Sequence, residues 1–265
     1  MTPTPVVRDL TFDLDQVPRH WHGGRRSVSI FFDNLSIFFP SGERFFVAAV
    51  KAHRDRATDP KLRDEVRAFC AQEGMHGREH VRYNRRLEEH GYPAAKLESK
   101  VERLLKRVTK LLSPRARLAV TCALEHFTSL MAHMLLEDGR GLEGADPRMA
   151  ALWRWHAAEE SEHKAVAFDL YVASGGGWWT RVWTMVGATI VFWAKVLEQQ
   201  IRMMRADGCL WSPREWGRLA WWLYGKPGPM RKIVWKYLSY YRPSFHPWQV
   251  DTRALLEDWK TKQAA

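Results

Sequence analysis

Two Glu-x-x-His pairs, Glu73-x-x-His76 and Glu160-x-x-His163, lie in a chain of 265 residues that also carries Glu43 and Glu125 singly on apolar stretches. On an α-helix, residues i and i+3 share a face, so each pair points a carboxylate and an imidazole the same way. A carboxylate on a face meant for burial is costly unless a positive charge compensates it, and a metal cation is the simplest source of that charge. Oxygen and nitrogen donors without cysteine suit iron or manganese, and zinc less well.

The stripes that carry these residues are otherwise core-like. From Pro60 the inner face runs through Leu62, Val66, Phe69, Glu73, His76, His80, Asn84 and Leu87. From Pro147 it runs through Leu152, His156, Glu159 or Glu160, His163, Ala167 and Leu170, and from Pro114 through Leu118, Thr121, Glu125, Ser129 and Ala132. One glutamate from each of two helices and Glu-x-x-His from each of two others is the donor set of ferritin-like dinuclear sites. The order Glu43, Glu73, His76, Glu125, Glu160, His163 therefore predicts two bound metal ions, iron first, with manganese or a mixed pair as alternatives. Only Glu160 has the right spacing to His163, and Glu159 is open between a further ligand and a support behind the ligands. His80 is open between a further ligand and a support. His156, four residues before Glu160, could be a further ligand, a support that donates to it or a structural residue. His126 falls on a different face and reads as packing or surface. Tyr83 and Tyr171, each two turns past a ligand histidine, read as core residues before redox-active ones.

The elements that must position these residues announce their starts. Asp59-Pro60, Ser113-Pro114 and Asp146-Pro147 each place a capping oxygen before a proline, whose missing N–H costs nothing in a first turn. The helices that follow are expected to reach Gly91, Gly139 and Ser174 to Gly177, where glycine can close them. An apolar segment from Ser27 is expected to stop at Pro40-Ser41-Gly42, with a new helix capped by Ser41 and carrying Glu43. A charged amphipathic helix lies between Gly91 and Ser113, with Leu97, Val101, Leu104, Val108 and Leu111 on one stripe. Further helices are expected at 178–206, 213–224, 228–240 and 251–260. The fold class is all-α: a ferritin-like four-helix bundle over 28–177, an irregular segment over 1–27, and a Trp-rich helical extension over 178–265 packed on the bundle.

Composition narrows the partners. The net charge of +11 favours an anionic partner. Nothing resembles a zinc finger, an aromatic RNA-binding signature or a phosphate-binding glycine loop, so nucleic acid is not expected. Cys70, Cys122 and Cys209 are widely separated singles, which fits a reducing cytoplasm, and no secretory signal is expected. The most apolar run, Val182 to Ala194, is shorter than the roughly 20 residues a membrane span needs. Tryptophans crowd the chain after residue 177 among many Arg and Lys. That pattern suggests an apolar or lipid-like substrate and peripheral contact with an anionic membrane, against the alternative that the aromatics cover the bundle or a homodimer interface.

Leu35-Ser-Ile-Phe-Phe-Pro-Ser-Gly-Glu43-Arg-Phe-Phe46, Gln72-Glu73-Gly-Met-His76, Glu125-His126-Phe-Thr128, Trp155-His-Ala-Ala-Glu-Glu160-Ser-Glu-His163-Lys164 and Tyr241-Arg-Pro-Ser-Phe-His-Pro-Trp248 together resemble the bacterial "predicted metal-dependent hydrolase" family. The resemblance covers about residues 28 to 259, implies metal-dependent hydrolysis, and singles out His246, which spacing alone does not. Three functions are weighed. An O2-activating di-iron oxidase or oxygenase is favoured by the carboxylate-rich donor set. A hydrolase would use a metal-bridged water. An iron-storage protein is disfavoured by the Trp-rich extension.

Overall fold

The computed structural model describes residues 4–264; residues 1–3 and 265, the ends of the expected N-terminal segment and C-terminal extension, lie outside the described residues. The class is all-α, with no strand among the described residues. Four long elements make the bundle: α1 (Arg26–Lys51), α2 (Pro60–Glu89), α4 (Pro114–Glu137) and α5 (Pro147–His163), the last continued by α6 (Val166–Ala173). α1 packs along α2 and α4 along α5, and contacts of α1 with α4 and of α2 with α5 and α6 close the ring. α3 (Ala94–Leu111) covers α1 and α2. Four further helices, α7 (Trp178–Ala206), α8 (Pro213–Ala220), α9 (Pro229–Ser239) and α10 (Arg253–Ala264), lie on the outside of α1, α4 and α5.

The three expected helix starts are capped as their sequences imply. Asp59 accepts from the amides of Lys61 and Leu62, Ser113 from Ala116, and Asp146 from Arg148. Three expected boundaries need correction. Pro40 does not end a helix, because α1 runs through it without a break. A proline inside a helix removes one intrahelical hydrogen bond and costs about 3 kcal/mol. Here the carbonyl of Ser36, four residues back, accepts instead from Asn84 Nδ2 of α2 at 3.3 Å. The expected helix from Pro147 to Ser174 is interrupted at Lys164 and Ala165. The turn sends the buried Lys164 ammonium to Thr252 Oγ1 at 3.0 Å and over the Trp248 ring at 4.2 Å. The expected helix over 213–224 ends at Ala220 and continues as a single π turn, Trp221–Gly225.

α4 is long and apolar enough to cross a membrane, yet 72% of its most apolar window is buried inside the protein, the pattern of a core helix. The irregular N-terminal segment is not idle: it runs along α2 from Gln72 to Arg86 and meets the end of α5, where Arg8 pairs with Glu159 and Glu162.

Candidate metal centre

α1, α2, α4 and α5 bring Glu43, Glu73, His76, Glu125, Glu160 and His163 to one place in the middle of the bundle, all of them buried. His163 Nε2 lies 3.2 Å from Glu73 Oε1, 3.5 Å from Glu125 Oε2 and 3.7 Å from Glu160 Oε2. His76 turns Nδ1 toward Glu160 Oε1 at 3.9 Å and Nε2 toward Glu159 Oε2 at 3.2 Å. Three donor groups form, each with its atoms within 4.8 Å of one another: Glu73, Glu125 and His163; Glu43, His76 and His156; and Glu73, His76 and Glu160. The third shares a residue with each of the others, so the cluster is continuous.

The residues fit a cation for a reason visible in their hydrogen bonding. Both carboxylate oxygens of Glu43, Glu73 and Glu125, one oxygen of Glu160, both nitrogens of His76 and Nε2 of His163 are buried without a hydrogen-bond partner. Buried polar atoms are rarely left so, and here all but His76 Nε2, which faces Glu159, belong to the one cluster. Burial, reinforced by the charges of Glu73, Glu160 and Glu125, pushes Glu43 well above the usual carboxylate range. Burial likewise raises Glu125 and Glu73, the latter against the pull of His163. Glu160 goes the other way: burial disfavours its charge, but the imidazoles of His156 and His163 beside it hold it well below that range. Burial also disfavours the charge of His163, and Glu160, Glu73 and Glu125 overcome that to raise it. Without a cation, then, the cluster must retain protons to relieve its own repulsion.

Surrounding residues hold these side chains in place. Gln72 Oε1 lies 2.9 Å from His163 Nδ1; a carbonyl oxygen only accepts, so Nδ1 donates, and Nε2 is the nitrogen turned to the carboxylates and available to a cation once it gives up its proton. Gln72 is held in turn through Nε2, which donates to Glu162 Oε2 and the carbonyl of Val6, each at 3.1 Å. Arg8 clamps Glu162 with two bonds of 2.7 and 3.0 Å and reaches Glu159 at 3.1 Å. Burial pushes the Glu159 carboxyl up to about 7, although Arg8 pulls it down. Glu159 thus stands beside His76 Nε2, on the side away from Glu160.

His156 lies nearer the donors than its sequence position required. Asn84 Nδ2 donates to the Ser36 carbonyl and toward Glu98 Oε2, each at 3.3 Å, which leaves Asn84 Oδ1 to accept from Ser36 Oγ at 2.8 Å. Ser36 Oγ then accepts from His80 Nδ1, and His80 Nε2 from His156 Nδ1, each at 2.9 Å. With Nδ1 so engaged, His156 turns Nε2 to Glu160 Oε1 at 3.1 Å, a contact that holds a proton or a cation between the two groups. His80 has both nitrogens in this row, in contact with Ser36 and His156, the position of a support.

Other expected residues fall elsewhere. Tyr83 donates to Asp33 Oδ1 at 2.6 Å and Tyr171 to the Gly177 carbonyl at 2.8 Å, so both hydroxyls are spent away from the cluster. His126 is a packing residue against Tyr240 and Phe245, and His246 pairs with Asp169 at 2.9 Å. Gln72, Arg8 and Glu162 escaped the sequence reading. The signal for them was the run Glu159-Glu160-Ser161-Glu162: so many acids beside a buried face require a cation from outside the helix.

Gly77 of α2 leaves room for Glu43, since a Cβ there would stand 3.1 Å from Glu43 Oε2. Alanine is better than glycine by about 1 kcal/mol in a helix, so the space is kept against propensity. The expected result for Gly77→Ala is a metal-free melting temperature equal to or above that of the parent, with roughly tenfold weaker metal affinity from the displaced carboxylate. Titration of both proteins with Mn(II) checks this, and equal affinities contradict it.

A small cavity of ≈ 50 Å³ touches the cluster at Glu160 and His156, and its other walls are mainly apolar, with Phe39, Thr128, Met131 and Trp153 among them. Residues 6–251 match the family described as predicted metal-dependent hydrolase, and the chain belongs to that family. No curated protein and no solved structure matches it. The family and the donor groups agree on metal dependence, with room for a two-metal site.

Proposed function

We propose that this member of the predicted metal-dependent hydrolase family is a two-metal enzyme that acts on an apolar substrate, and that the reaction is hydrolysis. The observation that carries the two-metal reading is the set of mutually facing, unpartnered donors in the bundle. Glu73, Glu125 and His163 would hold one ion, and Glu43, His76 and His156 the other, with Glu160 between them. A bound pair supplies a water activated at neutral pH and a Lewis acid for the scissile carbonyl or phosphoryl group. The protein's own part is orientation and exclusion of solvent. Gln72 and the His80–Ser36–Asn84 row fix the imidazole lone pairs inward, Glu159 and Arg8 brace His76, and Phe39, Met131 and Trp153 keep bulk water from the substrate side.

A second reading, dioxygen activation by a di-iron pair, rests on a specific observation. The cavity that reaches Glu160 and His156 is almost wholly apolar, which suits O2 and a hydrocarbon better than a supply of water. One experiment separates the two. Protein loaded with Mn(II) or Zn(II) under nitrogen is expected to turn over a medium-chain p-nitrophenyl ester at the aerobic rate. Ester turnover absent under all loadings, with O2 uptake by the Fe(II)-loaded protein, selects the oxidative reading. Neither activity in metal-replete protein contradicts both.

A further inference from the structure

A groove of ≈ 640 Å³ runs between α1, α3, α4 and α7. Its walls are apolar, with Phe38, Leu105, Phe127 and Val191 among them, and Lys195 is its one charged lining residue. It shares Leu35, Phe39, Thr128 and Met131 with the small cavity that touches Glu160 and His156.

The outer wall of the groove is α7, and its solvent side is unusual. Trp179, Trp183, Ile190, Leu197 and Ile201 follow one another at helical spacing and are exposed, the first three at 65%, 66% and 65%, and the two tryptophans also line the groove. Over these 22 residue steps the stripe is about 33 Å long. The charge-free run from Val182 to Ala194 lies within it. α9, tied to α7 by a 2.8 Å bond between Tyr237 and Thr189, adds the exposed Trp235 and Leu238. Contiguous apolar surface of this extent calls for a partner.

Charge says which partner. Between residues 178 and 250 there are eleven Arg and Lys against three acids, a surplus of eight. Those acids are already taken: Glu198 by Lys100, Lys195 and Arg202, Asp207 by Arg19 and Arg26, and Glu215 by Arg218. Arg205, one turn beyond Ile201 on the same stripe, is exposed and makes no ion pair among the described residues. Close in sequence to the groove-lining Val108 and Leu112, Arg107, Lys110 and Arg115 are likewise exposed and make no ion pair among the described residues. A second copy meeting this face across a two-fold axis would bring the same cations against themselves. A bilayer with anionic headgroups takes tryptophans at its boundary and cations against its phosphates.

We propose that the outer face of α7, with Trp235 of α9, docks on an anionic lipid bilayer, and that the groove behind it takes one alkyl chain of a membrane lipid. Delivery of that chain to the donor residues rests on the two-metal reading; docking and chain binding do not.

The test uses the full, metal-loaded chain with phosphatidylcholine vesicles with and without phosphatidylglycerol. Co-sedimentation is expected with the anionic vesicles, weakening roughly tenfold on moving from low to high salt, and lipids brominated on their acyl chains should quench tryptophan emission. The double variant Trp179→Ser, Trp183→Ser should bind roughly tenfold more weakly with an unchanged melting temperature. Gly187→Trp, which fills the groove, should keep vesicle binding and lose roughly tenfold of its affinity for a fluorescent fatty acid. Absent sedimentation, or a salt-insensitive dimer that the double variant converts to monomer, overturns docking. Undiminished fatty-acid binding by Gly187→Trp overturns the groove assignment. Vesicle binding that survives Glu73→Gln alongside lost turnover keeps this proposal separate from the fate of the metal reading.

Discussion

Glu73→Ala is expected to leave at most one metal ion on a chain that otherwise carries two, and to lower turnover by about a thousandfold or more. Glu73 takes part in two of the three donor groups, so no other single carboxylate removes as much of the cluster. His163→Ala should do nearly as much, because its Nε2 lies within 3.7 Å of three carboxylates. Neither variant should unfold the metal-free protein, since Glu73→Ala removes a buried carboxylate without a hydrogen-bond partner and His163→Ala gives up only the bond of Nδ1 to Gln72. Metal analysis of protein purified without chelator, with circular dichroism as the control for folding, checks both statements. Two ions retained by either variant would place the metals somewhere other than this cluster.

The gain in melting temperature on metal loading should widen as pH rises. Glu43, Glu73 and Glu125 have their carboxyls raised in the metal-free fold by burial and by the charges of neighbouring glutamates, Glu160 among them in each case. A group whose pKa is raised on folding contributes stability that is full below its unfolded value and lost as pH climbs through its folded value. The metal-free protein therefore weakens across that window. The loaded protein does not, because its carboxylates are already ionised against the cations. His163, raised in the metal-free fold, must also lose its proton to bind metal, which acts in the same direction. Glu160 is depressed, so its contribution is lost only as pH falls through its low folded value, below the window that matters here. Between about pH 5 and about pH 8, the gap should grow to about 10 °C with metal in large excess. Thermal melts with and without chelator across that range provide the check, and a gap that stays constant or narrows with pH is incompatible with gathered, proton-bearing carboxylates.

The sequence by itself determined what depends on neighbours along the chain. Asp59, Ser113 and Asp146 cap their helices because a short polar side chain before a proline has a free backbone N–H within reach. The 3.6-residue period alone put Glu73 with His76 and Glu160 with His163 on inward faces. Tertiary structure decided what depends on partners distant in sequence. Pro40 reads locally as the end of a helix, and only the amide of Asn84, 44 positions further on, satisfies the carbonyl it frees. His156 and His80 differ by nothing in their local spacing that separates ligand from support; the row from Asn84 through Ser36 fixes which nitrogen of each is spoken for. Arg8 lies in a segment without periodicity, and its value to Glu159 and Glu162 exists only once the chain has crossed 150 residues of sequence to reach them. The tryptophans show the same division. Trp222 is buried against Phe31 and Phe32 while Trp179 and Trp183 face outward, because burial belongs to the surface that a side chain meets and composition carries no record of it.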